Sequence, residues 1–208
     1  LVSKCIYAMK KSVSIPVTVK CRIGVDDMDE DAYLDKFIKE LSFSGCETFI
    51  IHARKAWLSG LSPKDNREIP PLNYQRVYKL KETFPELNII INGGIKTIKE
   101  SIEHLNYVDG VMLGREAYDN PFILTEVDSE IFSDAMHPIR RTDILYKLLP
   151  YIQSEIDKGT KISHITKHLM GLFKGFDGAK NIRKYLVSLS NEVQPADNYE
   201  NFLSEIAI

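Results

Sequence analysis

Four short apolar runs, alternating with stretches of helical periodicity, constrain this chain more than any other feature of its sequence. The runs are Pro16 to Ile23 (PVTVKCRI), Thr48 to Ala53 (TFIIHA), Leu87 to Gly93 (LNIIING) and Asp109 to Arg115 (DGVMLGR). Each is rich in Val, Ile or Phe and bounded by Gly, Pro, Asn or Asp, the pattern of a short buried strand. Between them, residues 31–43 place Tyr33, Leu34, Phe37, Ile38 and Leu41 on one helical face, and 73–84 do the same with Tyr74, Val77 and Leu80. The segment 97–105 opens with Thr97 and carries Glu100 three residues later, which is a capping box. Strand and helix in strict alternation predict parallel pairing with right-handed crossovers.

The strand signal stops after Pro121. Helical periodicity alone fills 139–158, 162–174, 179–190 and 198–207, separated by Gly159, Gly175 to Gly178 and Pro195. The expected organisation is therefore α/β over residues 1–125, a linker over 126–138 where Asp128, Ser129, Asp134 and Pro138 cluster, and an all-α domain over 139–208. A chain of 208 residues with 44% hydrophobic content can bury the cores this requires. A net charge of −2 with ordinary apolar content excludes a disordered polyelectrolyte. No window approaches the roughly 18 uncharged apolar residues of a spanning helix. Three cysteines (Cys5, Cys21, Cys46) without a CxxC pair argue for a reducing compartment, hence the cytoplasm, and against structural zinc.

The polar residues fall at the ends of the strands. By the period of two, Thr18, Lys20 and Arg22 share the face opposite Val17, Val19, Cys21 and Ile23. A lysine within such a strand needs a partner, water or an anion, because burying it alone is very unfavourable. His52 and Arg54 end the second run, Asn92-Gly93-Gly94 the third, and Gly114-Arg115 the fourth. C-terminal strand ends are where parallel α/β folds place ligands, and the loops after the last two strands of a βα barrel are its recurring phosphate site. The Asn92-Gly93-Gly94 turn, feeding a helix at Thr97, suits close backbone approach to a phosphate. Gly114-Arg115 adds N–H donors and a guanidinium fork. Taken singly, the turn also reads as a plain tight turn, Arg115 as a surface salt bridge and His52 as a satisfied core histidine.

Residues 52–72 (HARKAWLSGLSPKDNREIPPL) are too long and too polar for a simple βα turn. Arg54, Lys55, Lys64 and Arg67 beside Trp57 suit a polyanion with exposed bases, or else a solvated loop over a site. The tail is uneven in charge. Between 158 and 184 it carries Lys158, Lys161, Lys167, Lys174, Lys180, Arg183 and Lys184 against one acid, Asp177, whereas 185–208 holds four acids and no Lys or Arg. This is a nucleic-acid footprint or a solvated helical face.

Five segments together resemble the tRNA-dihydrouridine synthase family, most closely its A subfamily. They are VTVKCRIGVDD (17–27), FIIHARKAWLSGLSPKDNREIPPL (49–72), INGGI (91–95), DGVMLGREAYDNP (109–121) and HLMGLFKGFDGAKNIRKYL (168–186). The resemblance implies the C-terminal half of a (β/α)8 TIM barrel, strands five to eight, followed by a small helical domain. It implies FMN, recharged by NADPH, and reduction of D-loop uridines of tRNA to dihydrouridine. Carried over by residue, Lys20 and His52 would contact the flavin ring and ribityl region. Asn92, Gly93, Gly94, Gly114 and Arg115 would hold its phosphate. Lys64, Arg67, Lys180 and Arg183 would touch tRNA; the subfamily usually has arginine where Lys180 stands, so the charge is kept without the bidentate fork. The family's proton-donating cysteine lies in an Asn-x-Gly-Cys-Pro segment, a context that none of the three cysteines here has. The expectation is a C-terminal part of a longer enzyme that by itself reduces no uridine. Two other readings share these motifs: another FMN-dependent barrel oxidoreductase acting on a small molecule, and a non-catalytic RNA-binding remnant.

Overall fold

A computed structural model describes residues 1–28, 30–135, 138–188 and 201 of the chain. The chain forms two compact units, 1–114 and 115–208. In the first, strands β1 (Val19–Val25), β2 (Thr48–Ala56), β3 (Asn88–Asn92) and β4 (Gly110–Met112) make one parallel sheet in the order β1-β2-β3-β4. Helices α1 (Val2–Ser12), α2 (Glu30–Phe43), α3 (Tyr74–Thr83) and α4 (Ile98–Leu105) complete the unit.

Alternation along the strands divides the sheet into two chemically different faces. Ile23, Phe49, Ile51, Ala53, Ile89 and Ile91 are buried in one core with Ile6, Leu34, Ile38, Leu41, Val77 and Leu80 of the helices. The residues between them, Lys20, Arg22, His52 and Asn92, lie on the opposite face. The capping box is present: the Thr97 hydroxyl accepts the Glu100 N–H at 3.1 Å, and the Glu100 carboxylate accepts the Thr97 N–H at 3.1 Å.

The second unit holds α5 (Arg115–Asp119), a 3-10 segment (Pro121–Glu126), α6 (Val127–Ile131), α7 (Arg141–Asp157), α8 (Ser163–Thr166) and α9 (Ala179–Ser188). Its own core joins Leu145, Ile152, Ile162, Leu172, Phe173, Ile182 and Leu186.

Several boundaries differ from the sequence expectation. The division between compact units falls after Gly114, ahead of the 125 expected, and α6 occupies part of the 126–138 segment read as a linker. The helix expected over 162–174 is a single turn, α8, followed by turns closed by short bonds from Leu172 N–H to Leu169 O (3.1 Å) and from Lys174 N–H to Gly171 O (3.0 Å). Gly171 packs so closely on the Tyr118 carbonyl that a Cβ there would lie 2.6 Å from it, a tertiary contact that periodicity does not encode. The helix expected at 198–207 lies outside the described residues, apart from Asn201.

Candidate active site

The register of the sheet brings two of the singled-out positions, His52 and Asn92, into one row. Arg22 pairs with His52, His52 with Asn92 and Asn92 with Met112, so these residues form one row across all four strands. Lys20 stands one row below, opposite Ile50. This corrects the expectation that Lys20 ends its strand: β1 begins at Val19 and continues to Val25, and Arg22 holds the place in the row. Lys20 nevertheless reaches the row. Its Nζ donates to Asn92 Oδ1 at 3.1 Å, while Asn92 Nδ2 donates to the Met112 carbonyl at 2.7 Å. The two bonds fix which way the Asn92 amide faces. Desolvation draws the Lys20 ammonium below the usual lysine range, and the Arg22 charge adds to that pull.

The turn after β3 is built around its two glycines. Gly93 and Gly94 have φ of 123° and 71°, in the region that favours glycine. A Cβ on Gly93 would lie 2.7 Å from His52 Cδ2, and one on Gly94 would lie 2.7 Å from Leu72 Cδ1. The His52 ring and the Leu72 side chain thus pack directly on bare backbone. Gly114 is different: its Cβ position meets nothing within 4 Å. Arg115 follows it as the first residue of α5, in the second unit. The N-terminus of α4 is already supplied with negative charge, because Glu100 accepts the Lys96 N–H at 2.7 Å as well as that of Thr97. An anion at this end of the sheet would rely on the glycine backbone and cationic side chains more than on the α4 dipole.

The loop over residues 57–73 is tied to the same end of the sheet. Asn66 holds the Trp57 backbone from both sides: its Oδ1 accepts the Trp57 N–H and its Nδ2 donates to the Trp57 carbonyl, both at 2.7 Å. Arg22 donates to the carbonyls of Lys55 (2.5 Å) and Asn66 (2.8 Å). Arg54 donates to those of Glu68 and Pro70, and Asn73 N–H reaches Ala53 O at 2.8 Å. The Lys55 ammonium donates to Met28 O at 2.7 Å. Arg54, read in the sequence as part of a polyanion surface, therefore braces the loop, while Lys55 ties the end of β2 to the connection that follows β1. Lys64 precedes the 3-10 turn Asp65–Arg67 and Arg67 ends it, both with exposed side chains. Burial lowers the pKa of Arg22, with the charges of Arg54 and Arg67 adding to the effect, so positive charge is concentrated at the loop base. In the second unit, Ala179, Ile182 and Leu186 of α9 are buried in the core, leaving Lys180 and Arg183 exposed. Of the other tail lysines, Lys158 pairs with Glu155 and Lys174 with Glu116.

None of the cysteines is placed as a proton donor beside the row. Cys21 packs against the core face of β1, where burial pushes its thiol up to about 12. Cys46 is buried with Sγ on the Val17 and Thr48 carbonyls, and Cys5 is exposed on α1. Among the described residues, no group of three or more His, Cys, Asp or Glu could hold a metal ion, and no helix is long and apolar enough to cross a membrane.

The dihydrouridine synthase family model matches residues 1–207. The chain belongs to that family. It is 56% identical over 187 residues to the tRNA-dihydrouridine(20/20a) synthases of Salmonella typhi and Escherichia coli K12, and 50% identical to that of Vibrio cholerae. Each comparison covers 89% of this chain and 56%, 54% and 57% of the respective relative, so the chain spans little more than half the length of the curated relatives it matches. Two groups at the site were missed by sequence reasoning. Arg22 lay in a matching segment but was passed over for Lys20; of the two residues that pack on the glycine turn, Leu72 ends the long loop with no signal of its own, and Tyr74 had none beyond helical periodicity.

Proposed function

We propose that this protein works as its relatives are named, reducing uridine to 5,6-dihydrouridine in the D-loop of tRNA, with FMN as cofactor, NADPH as reductant and the cytoplasm as its compartment. The observation that carries this reading is the row Arg22–His52–Asn92 with Lys20 Nζ on Asn92 Oδ1, ending against the bare backbone of Gly93 and Gly94. Hydrogen-bond donors in a row beside a backbone turn without Cβ atoms fit a polar, phosphorylated cofactor. The four strands would then be the fifth to eighth of a (β/α)8 barrel, with the row facing its interior.

Lys20 and His52 would hold the flavin ring and ribityl region, and Asn92, Gly93, Gly94, Gly114 and Arg115 its phosphate. FMN, when bound, supplies the hydride. The residues of the chain bind and orient: the Lys20–Asn92 bond fixes two donors relative to each other, and Leu72 and His52 close the space over the turn. Lys64 and Arg67 of the braced loop, with Lys180 and Arg183 of α9, would bind the tRNA backbone while a uridine is turned out of its stack. The proton for uracil C5 comes from none of Cys5, Cys21 or Cys46, so Cys5→Ser and Cys21→Ala substitutions in the protein as its natural host makes it are expected to leave its turnover at the parental value.

The test is mass-spectrometric counting of dihydrouridine in D-loop fragments from the natural host with and without the gene. Loss of the modification on deletion, and its return when protein purified from the natural host is added to that tRNA with FMN and NADPH, would support the reading. Unchanged dihydrouridine in the deletion strain would sink it.

A further inference from the structure

The Tyr74 hydroxyl donates to the Gly93 carbonyl at 2.7 Å. The described chain has no cis peptide, and in a trans peptide C=O and N–H point to opposite sides. Holding the Gly93 carbonyl toward Tyr74 therefore turns the Gly94 N–H the other way. That N–H meets no acceptor among the described residues, whereas the N–H groups of Lys96 and Thr97 already donate to Glu100. The fit is close, since a Cβ on Gly94 would lie 3.2 Å from the Tyr74 oxygen.

Tyr74 is itself fixed from behind. Its ring meets His104 edge-on at 4.5 Å between centroids; His104 is 7% exposed and shares a 2.6 Å hydrogen bond with the Tyr78 hydroxyl, and Tyr78 stacks on Tyr107 at 4.4 Å. Burial, with the Glu100 charge, pushes the Tyr74 phenol above its ordinary range, so it remains a donor at neutral pH.

We infer that Tyr74 is a positioning residue: by holding the Gly93 carbonyl it aims the Gly94 N–H at a phosphate monoester. The monoester is the terminus of the flavin side chain, so the inference rests on the reading above. Tyr74→Phe removes the hydroxyl and keeps the ring. Affinities for FMN and for riboflavin, which lacks only the phosphate, are read from flavin fluorescence with the protein purified from its natural host. The expected result is an FMN affinity lower by about five- to tenfold, the worth of one hydrogen bond, with riboflavin binding within about twofold of the parent. Tyr78→Phe, which disturbs the same aromatic cluster without touching Gly93, should keep the parental FMN-to-riboflavin ratio. Equal losses for both flavins in Tyr74→Phe, or a ratio the substitution leaves unchanged, would overturn the inference and leave the phosphate site standing. A parent that binds FMN no more tightly than riboflavin would overturn the phosphate site and the inference together.

Discussion

The same substitution has unequal consequences at Gly93 and Gly114. Gly93→Ala places a methyl 2.7 Å from the His52 ring on a backbone at φ 123°, so about 1–3 kcal/mol of conformational strain comes before any clash is relieved. Gly114→Ala adds a methyl in open space, and we expect it to lie within about 0.5 kcal/mol of the parent. Thermal unfolding of the two variants checks the contrast; equal midpoints would show that the packing of His52 over the turn is looser than described. A second residue-scale expectation concerns acid. Burial draws the His104 imidazole below its usual value against the opposing pull of Glu100 and Glu103. The unfolded chain then takes up the proton first, near the ordinary histidine value of about 6.5. The stability this residue contributes is whole above that pH and drains away as the pH falls toward the folded value. The unfolding midpoint should decline as the pH falls below the ordinary histidine value of about 6.5, and His104→Gln should flatten that decline. Parallel pH profiles for parent and variant would exclude His104 as its source.

At the scale of elements, the loop over 57–73 separates residues that shape it from residues it presents. Asn66→Ala removes both bonds to Trp57 and should open the loop to limited proteolysis, at a cost of about 1–3 kcal/mol. A cleavage rate unchanged from the parent would mean that Arg22 and Arg54 suffice to hold it. These braces also show where sequence reading stops. Thr97 and Glu100 announced the start of α4 because a capping box is a local, three-residue device. The strands were legible because Val and Ile runs carry the period of the sheet. Which residue of β1 stands beside His52 was not legible, since register depends on pairing between segments thirty residues apart. Arg54 looked like surface charge for the same reason: its partners are carbonyls, which have no signature in sequence. Between Arg22 and Gly24 the pairing also slips, β2 advancing from His52 to Lys55 while β1 advances from Arg22 to Gly24, an irregularity that side-chain alternation does not reveal.

For the whole molecule, the proposed partner makes a prediction about salt. If Lys64 and Arg67 meet phosphates, replacing both with alanine should weaken tRNA binding uniformly across sequences and reduce the salt slope of log K by about two. An unchanged slope would remove the loop from the RNA interface, whatever the fate of Lys180 and Arg183. The braced loop carries a further consequence for how such an encounter would be felt thermodynamically. A segment held by Asn66, Arg22, Arg54 and Asn73 arrives with its shape already decided. Joining it to RNA surrenders little chain freedom, and a calorimeter should record the signature of two preformed bodies meeting: a modest heat-capacity change, without the large entropic deficit of a strand that folds on arrival.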